Sequence, residues 1–560
     1  MKIKELFNRQ QARYSVKVVV AWLWSIWQGN RLQALLNVLV GVLSVVNSLM
    51  QIWAVQHAID VAAGSVKGSI YWSVAFMGLL ILIGFGLNIA SIWISNVLGI
   101  KAQNRMQQQM LDRILRSQWH GKGQFHSGDI LNRLEIDVRT VVSFLTETLP
   151  STVSFLAMFI GAFLYLMMMD ATLALLIVAM IPVFIVLSKL YMGRMRHFTA
   201  QVRSSDSKVQ SILQETIQHR MLIKTLESID QMVNRLESTQ HTLRQRVMRR
   251  TVFNVFSNLI LSLGFSLGYL LAFLWAAVRM IDHSLSFGGM VAFLQLVNRI
   301  QSPARSLTKL VPAFVEVLTA AERLMELEEN PLEKQGKAEY FDAPCGIKLN
   351  NISYAYDDEP DRKVINNLSF DFYPGSCTAI LGETGAGKTT LIRMLLALIE
   401  PTEGSVCLYD KHKTKTITPL MRANISYVPQ GNTLMSGTIK ENLLLGNPFA
   451  TMEEMEKALT LSCAQFVFEL PEGLETVVTE QGGGLSEGQA QRICIARALL
   501  RDRSIMIFDE ATSALDPDTE RQLLHNILEN QTKTIIFITH RPAVIDYCNQ
   551  SLNIIKEHEK

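Results

Sequence analysis

Six long apolar stretches dominate the first half of this 560-residue chain. A helix needs about 20 mainly apolar residues to cross the roughly 30 Å hydrocarbon core of a bilayer, and each stretch is about that long. Unpaired backbone groups are costly in lipid, so each stretch is expected to be helical. The sequence thus predicts an all-α, six-helix transmembrane domain with spans at about residues 32–54, 70–98, 143–168, 171–190, 253–279 and 287–312.

Composition separates this membrane half from a soluble half that begins near residue 345. The charged fraction is 18%, below the roughly 25% of average soluble chains. The net charge of +3 provides no basic field, and no nucleic-acid partner is expected. All six cysteines lie in the soluble half without metal-like spacing, as expected of reduced cytosolic thiols: Cys345, Cys377, Cys407, Cys463, Cys494 and Cys548.

Positive charge in the connections predicts the orientation. Lysine and arginine are concentrated in the long second and fourth connections, whereas the other three are short. Positively charged connections stay in the cytoplasm, so both termini and both long connections are expected there. We expect a multi-pass protein of the prokaryotic inner membrane.

Segments outside the spans are also expected to be helical. Val18–Trp27 contains three tryptophans and predicts an interfacial helix; the alternative is a cleaved signal. The long connections, such as Ala102–Arg116 and Ser207–Arg250, consist mainly of helix formers with few breakers. They predict helices that continue beyond the bilayer, with disordered loops as the alternative.

Residues 382–389 match the phosphate-loop pattern G-x-x-x-x-G-K-[ST]. The strand-like run Cys377–Leu381 precedes them and the helix-like run Thr390–Ile399 follows, as this loop requires. Glycines let backbone N–H groups face phosphate oxygens, Lys388 reaches the terminal phosphates, and the Thr389 hydroxyl suits Mg²⁺. The predicted nucleotide-binding residues here are Gly382, Glu383, Thr384, Gly385, Ala386, Gly387, Lys388, Thr389 and Thr390.

A second apolar strand, Ser504–Phe508, ends in Asp509 and Glu510. A carboxylate at a strand end beside a phosphate loop suits Mg²⁺, so Asp509 is a predicted metal ligand. The adjacent Glu510 is placed to deprotonate an attacking water.

Between these motifs, Gly484–Gln489 resembles the signature sequence of ABC transporter ATPases, usually Leu-Ser-Gly-Gly-Gln. Glu487 replaces its first glycine, and Ser486, Gly488 and Gln489 stay in register. The resemblance extends to Tyr356, Gln430, Ser513–Asp516 and His540.

This resemblance implies an α/β P-loop NTPase domain that binds ATP and Mg²⁺. Tyr356 would stack on adenine, and Ser486, Gly488 and Gln489 would bind nucleotide. Gln430 would join Thr389 and Asp509 as a metal ligand and would also contact nucleotide. The catalytic residues would be Glu510 as base, with His540 and Lys388 stabilising charge on the γ-phosphate.

The membrane half resembles exporter-type members of the family. Gly128–Leu134 and Gln214–Gln218 look like their two cytoplasmic connections, although His219 stands where a glycine is usual. Short helices that transmit ATPase closure are expected around Gly121–Leu131 and Gln210–Met221. The expected domains are an N-terminal segment with the interfacial helix, a membrane domain, a linker and an ATPase domain, at residues 1–30, 31–325, 326–345 and 346–560.

Because each ATP in this family lies between the phosphate loop of one domain and the signature loop of another, the resemblance implies a dimer. Intact Glu510 and His540 favour a homodimer over pairing with a related half-transporter.

The expected function is ATP-driven export or flipping of an amphipathic, lipid-like, peptide or drug-like molecule; an importer on the same fold and a non-transporting regulatory member are the alternatives. No Asp or Glu lies well inside a predicted span, and the candidate cavity-facing amides are Asn37, Asn47, Gln51, Asn88, Asn96, Asn254, Asn258, Gln295 and Asn298.

Overall fold

The structure is a computed structural model that describes residues 14–28, 31–119, 127–356, 362–479, 483–529 and 532–555. The chain divides into two compact units. One comprises residues 1–111 and 130–327, and the other residues 112–129 and 328–560.

The first unit is helical throughout its described part. Two π-helical turns, Arg133–Asp137 and Phe144–Thr148, flank a short helix that leads into the third predicted span. The α-helices of the membrane half are α1 (Val16–Ile26), α2 (Arg31–Ala62), α3 (Ile70–Arg116), α4 (Ser127–Asn132), α5 (Val138–Ser143), α6 (Leu149–Met169), α7 (Ala171–Gln218), α8 (Arg220–Thr225), α9 (Ile229–Ile281) and α10 (Phe287–Glu329).

Within the described residues, four helical segments are long and apolar enough to cross a membrane. They are Arg31–Ala62, Ile70–Arg116, Gly128–Met169 and Ile229–Ile281. They contain the predicted spans 32–54, 70–98, 143–168 and 253–279, and the other two predicted spans lie within α7 and α10.

The helices also extend far beyond the apolar stretches. At about 1.5 Å per residue, a helix such as α3 is roughly 70 Å long, more than twice the hydrocarbon thickness. The prediction that the long connections continue the helices is therefore confirmed for their described parts, and the disordered alternative is wrong for them. The predicted N-terminal helix is present as α1, where Val19 and Leu23 are buried.

The two short helices expected in the connections are placed differently. The segment predicted at Gln210–Met221 is interrupted, because α7 ends at Gln218 and α8 begins at Arg220, with His219 at the break. The segment predicted at Gly121–Leu131 falls partly outside the described residues, and α4 begins at Ser127.

The described part of the second unit is built on two main sheets and one short antiparallel pair, β7 (Gly437–Thr438) with β8 (Val477–Val478). The antiparallel sheet has the order β2-β1-β4-β5, from β1 (Gly346–Ala355), β2 (Lys363–Phe372), β4 (Glu403–Tyr409) and β5 (Thr414–Thr416). The parallel sheet has the order β11-β3-β10-β9-β6, from β3 (Cys377–Gly382), β6 (Ile425–Val428), β9 (Ile505–Asp509), β10 (Thr534–Ile538) and β11 (Gln550–Ile554).

The central strands of the parallel sheet are buried on both faces, which explains their uninterrupted apolar runs. Helices flank them, among them α11 (Lys388–Leu395), α12 (Ile439–Leu444), α13 (Met452–Leu461), α14 (Glu487–Arg501), α15 (Pro517–Leu528) and α16 (Pro542–Tyr547). Strands β3, β9 and β10 are adjacent and parallel, so their carboxyl ends meet at one edge. Ligands of such sheets bind at this edge.

Candidate functional site

The phosphate loop joins β3 to α11. Gly385 and Gly387 have φ angles of 83° and 102°, which side-chain-bearing residues rarely adopt. At Gly382 a Cβ atom would lie 2.5 Å from the carbonyl oxygen of Ile554. Of the remaining predicted loop residues, Ala386 and Thr390 are buried, whereas the exposed ones are Glu383, Thr384 and Thr389.

Four predicted site residues converge at the carboxyl edge of the parallel sheet. The Nζ of Lys388 donates to the carbonyl of Gly382 at 2.7 Å and also contacts Nε2 of His540. The amide of Gln430 donates to Oε2 of Glu510 at 2.6 Å. Oε1 of Glu510 lies 4.0 Å from Nε2 of His540. A lysine, an amide, a carboxylate and an imidazole therefore form one contiguous group.

Glu510 occupies an unusual backbone conformation. Its φ angle is 48°, in the left-handed region, and its N–H donates to the carbonyl of Ile538 at 2.9 Å. Such a conformation costs a side-chain-bearing residue about 1–2 kcal/mol, so the surrounding contacts must enforce it. It directs the chain away from β9 immediately after Asp509.

Asp509 is bonded to Tyr427 on the neighbouring strand, whose hydroxyl donates to Oδ2 at 3.1 Å. Burial raises the pKa of Asp509, while the hydrogen bond from Tyr427 lowers it. The carboxylate of Asp509, the amide oxygen of Gln430 and the hydroxyl of Thr389 are all oxygen donors. Magnesium prefers oxygen ligands, so the chemistry of this donor set fits Mg²⁺.

Tyr356, expected to stack on adenine, is only 8% exposed. Its hydroxyl shares a 2.9 Å hydrogen bond with Oγ1 of Thr390 and accepts one of 3.1 Å from Arg393. The guanidinium of Arg393 lies 6.0 Å from the ring centre of Trp119. Tyr356 is thus anchored to α11 through its hydroxyl, and the stacking role stays a prediction.

The signature residues form the amino end of α14. The Ser486 hydroxyl accepts from the N–H of Gln489, and the Gln489 side chain accepts from the N–H of Ser486. This reciprocal pair is a capping box. A Cβ atom at Gly488 would lie 2.8 Å from the carbonyl oxygen of Ala514, whereas Glu487 is exposed. The loop therefore has room for the side chain of Glu487 in place of the usual glycine, but it has no room for a side chain at Gly488.

Gln491, which was not predicted from the sequence, connects this helix to the catalytic edge. It is 2% exposed, donates to the carbonyl of Glu510 at 3.1 Å, and accepts from the N–H of Ala514 at 3.2 Å. A glutamine among the buried apolar positions of α14 was the signal that could have found it. Tyr427, also missed, carries no comparable signal.

A cavity of about 640 Å³ lies in the membrane half, between α2, α3, the start of α6 and α10. Three of the nine predicted amides line it: Asn37, Asn88 and Asn96. Asn47 and Gln51 instead both donate to the carbonyl of Leu80, and Asn258 donates to Asn254 within α9. Gln295 and Asn298 are not among the described lining residues.

Two charged residues of this cavity were missed. Glu147 lies on the second π-helical turn and Arg299 lies in the middle of α10's predicted span. Neither is an acidic residue deep inside a predicted span, because Glu147 lies near the start of its span and Arg299 is basic. Counting ionisable residues of both signs throughout each span would have identified both.

Comparisons with known proteins cover both halves. Residues 34–303 match the family model of the ABC transporter transmembrane region, and residues 365–513 match that of the ABC transporter. The chain is 27% identical over 489 residues to the uncharacterized ABC transporter ATP-binding protein YknU of Bacillus subtilis (strain 168), covering 86% of this chain and 83% of the relative.

Two further similarities concern a relative and a solved structure. An ATP-dependent lipid A-core flippase of Bordetella avium (strain 197N) is 28% identical over 493 residues, covering 86% of this chain and 82% of the flippase. The structure of a bacterial Atm1-family ABC exporter with ATP bound superposes with a TM-score of 0.78 at 20% identity, covering 95% of each chain, which shows the fold. The phosphate loop, the signature helix, the paired carboxylates and both family matches agree: this chain belongs to the ABC transporter family, as a half-transporter that fuses a helical membrane domain to an ATP-hydrolysing domain.

Proposed function

We propose that this chain exports or flips an amphipathic molecule across the cell membrane, working as a homodimer driven by ATP hydrolysis. The observation that carries the proposal is the similarity to the lipid A-core flippase along 86% of the chain, membrane half included. The cavity in the membrane half supports it, because a transporter needs a place for its substrate between helices.

The proposed chemistry uses the group at the carboxyl edge of the sheet. Glu510 accepts the proton of the attacking water, and its bond from Gln430 orients the carboxylate. Lys388 and His540, already in contact, stabilise negative charge that develops on the γ-phosphate. Magnesium, when held by Thr389, Gln430 and Asp509, would supply further positive charge against the phosphate oxygens.

Two features support a dimer. Within the described residues, the signature side chains of Ser486 and Gln489 bond to one another's backbone and make no hydrogen bond to the phosphate loop. A nucleotide bound by both loops would join two copies of the chain.

The second feature is an apolar tip on the connection after the fourth predicted span. Ile217, Met221 and Leu222 are 69%, 78% and 55% exposed. Apolar side chains grouped on a surface mark interaction sites, and the tip suits a second ATPase domain. Because ATP would bind the closed dimer better than the open one, it would shift the population toward closure, and hydrolysis would reset the cycle.

ATP hydrolysis by the purified chain, reconstituted alone in lipid, tests the proposal. Glu510→Gln should reduce the rate about 10²-fold or more while ATP binding persists, because only the base is lost. Glu456→Gln, an exposed glutamate on α13, is the matched control and should leave the rate unchanged. A wild-type chain that binds ATP but does not hydrolyse it would contradict the homodimer.

The direction of transport is tested by a second measurement. In inside-out vesicles, an exporter accumulates substrate in the lumen and a flippase moves a labelled lipid to the inner-facing leaflet, in both cases only with ATP. Movement in the opposite direction would establish an importer instead.

A further inference from the structure

The cavity of the membrane half contains one negative and one positive side chain. Among the described lining residues, Glu147 and Arg299 are the only charged ones. An ionisable residue within a membrane span is costly unless it is paired or solvated, which makes it a candidate functional residue.

Neither charge has a partner among the residues that the structure describes. By contrast, two buried charges of this unit are satisfied: Asp60 accepts from the N–H of Gly288 at 3.0 Å, and Arg133 lies 2.8 Å from Glu326. Glu147 and Arg299 line the cavity without such partners.

The rest of the wall is rich in hydrogen-bonding side chains, and several of them have no hydrogen-bond partner among the described residues. Some of its polar groups serve the fold, such as Asn37 and Ser95, which both donate to the carbonyl of Thr146. Six others make no hydrogen bond with any described residue: Ser44, Ser48, Asn88, Ser91, Asn96 and Ser151. Unpaired polar groups in a cavity favour a polar ligand or water, because leaving them dry is unfavourable.

We propose that this cavity binds a zwitterionic, peptide-like molecule, with its anionic group at Arg299 and its cationic group at Glu147. An uncharged ligand would leave both charges unpaired, and an ion of one sign would leave one. The serine and asparagine side chains of the cavity wall fit the amide and hydroxyl groups of a peptide better than the acyl chains of a lipid. This inference rests on the proposed transport function and specifies its substrate class.

The cavity is long enough for such a molecule. Its lining on α2 runs from Asn37 to Ser48, roughly 16 Å at 1.5 Å per residue. Arg299 lies near the middle of its predicted span and Glu147 near the start of its own. The molecule should therefore bind in one orientation, with its cationic group nearer the cytoplasm.

Calorimetric binding without nucleotide tests the proposal on the full-length chain in phosphatidylcholine nanodiscs. The probe is the tripeptide leucyl-seryl-leucine in four forms: free, N-acetylated, C-amidated and blocked at both ends. The free form should bind most tightly. Arg299→Gln should weaken the free and N-acetylated forms about tenfold or more and leave the C-amidated form unchanged, because a hydrogen-bonded charge pair is worth about that factor.

Glu147→Gln should give the reciprocal pattern, weakening the free and C-amidated forms only. Glu237→Gln and Arg249→Gln remove exposed charges on α9 outside the cavity and should leave all four affinities unchanged. This matching of each variant to one end of the ligand separates recognition from a general effect on folding, which would weaken all four forms alike.

Equal binding of the four forms, or a uniform loss in both variants, would overturn the proposal. So would the absence of peptide binding combined with slower flipping of a fluorescent phosphatidylethanolamine in Arg299→Gln, which would assign the charges to a lipid headgroup. Because no ATP is present, a chain that failed to hydrolyse ATP would reject the proposed function without affecting this result.

Discussion

Gln491 shows how a single buried side chain can connect two parts of the ATPase site. Its amide group bonds the carbonyl of Glu510 and the N–H of Ala514. Gln491→Leu would remove the hydrogen-bond partner of the Ala514 N–H, at a cost of about 1–3 kcal/mol, whereas the Glu510 carbonyl would keep its bond from the N–H of Ser513. We expect a lower melting temperature, measured by calorimetry, and a lower ATPase rate because Glu510 loses a backbone restraint.

The matched control for Gln491→Leu is Gln522→Leu on the exposed face of α15, where the side chain bonds only Asn526. It should change neither stability nor rate. If the two variants behave alike, Gln491 has no positioning role.

Tyr356 has two separable functions, one for its hydroxyl and one for its ring. Tyr356→Phe removes the bonds to Thr390 and Arg393 but keeps the ring. If the ring stacks on adenine, the Phe variant should keep the wild-type affinity for ATP. Tyr356→Ala should bind ATP about fivefold or more weakly, because stacking on a base is worth roughly 1–3 kcal/mol.

ATP titration of each folded variant measures this, with exposed Tyr373→Ala as the control. An Ala variant with wild-type affinity would show that the tyrosine serves the fold alone. Loss of affinity in the Phe variant would assign the role to the hydroxyl.

The residues that the sequence identified are those whose chemistry is local. Gly382, Lys388 and Glu510 lie in or beside short sequence segments whose local pattern predicts a strand, a loop or a helix. The position of these residues at the carboxyl ends of strands or in the loop that follows could therefore be predicted. Gln491 and Arg299 depend on which helix face meets a distant partner or cavity, and this is decided by tertiary packing. The departure at Glu487 is similar, since only the fold shows that Gly488 is the position without room for a side chain.

The packing of the amino end of α10 against α2 depends on one close contact. Asp60 accepts from the N–H of Gly288, and a Cβ atom on Gly288 would lie 2.4 Å from the carbonyl oxygen of Gln56 and 2.6 Å from Oδ1 of Asp60. Gly288→Ala must therefore separate α10 from α2, and such overpacking costs about 1–3 kcal/mol. We expect a lower unfolding temperature of the detergent-solubilised chain.

Gly86→Ala provides the comparison within α3. No atom lies within 4 Å of the Cβ position there, so the change should be neutral or stabilise the helix by about 0.5–1 kcal/mol. Equal effects at Gly86 and Gly288 would mean that the contact with Asp60 does not limit the packing.

The hydropathy of the sequence predicted the helical segments that cross the bilayer, but it did not predict where helices begin and end outside the bilayer. The apolar runs predicted the spans because bilayer thickness imposes a length on the sequence. The break at His219 has no hydropathy signal, since it arises from backbone angles of −103° and 23° at one residue. Helical extension beyond the bilayer was predictable from composition, whereas its end points were not.

At the scale of the whole molecule, the proposed dimer makes ATP sites that each use two chains. Lys388→Ala disables the phosphate loop, and Ser486→Arg disables the signature loop. In a dimer of these two variants, one site combines both defects and the other combines the two intact loops, whereas a dimer of either variant alone has two defective sites. Composite sites therefore predict complementation between two inactive chains.

The number of ATP molecules retained by each dimer tests this complementation without requiring ATP hydrolysis. All chains carry Glu510→Gln so that bound ATP is not hydrolysed, and mixed dimers are isolated through two different affinity tags. After gel filtration, we expect two ATP molecules for each parent dimer, one for each mixed dimer and none for either single variant, because only a site with both loops intact traps nucleotide. If each chain held its own complete site, the mixed dimer would retain none, since each of its chains carries one disabled loop.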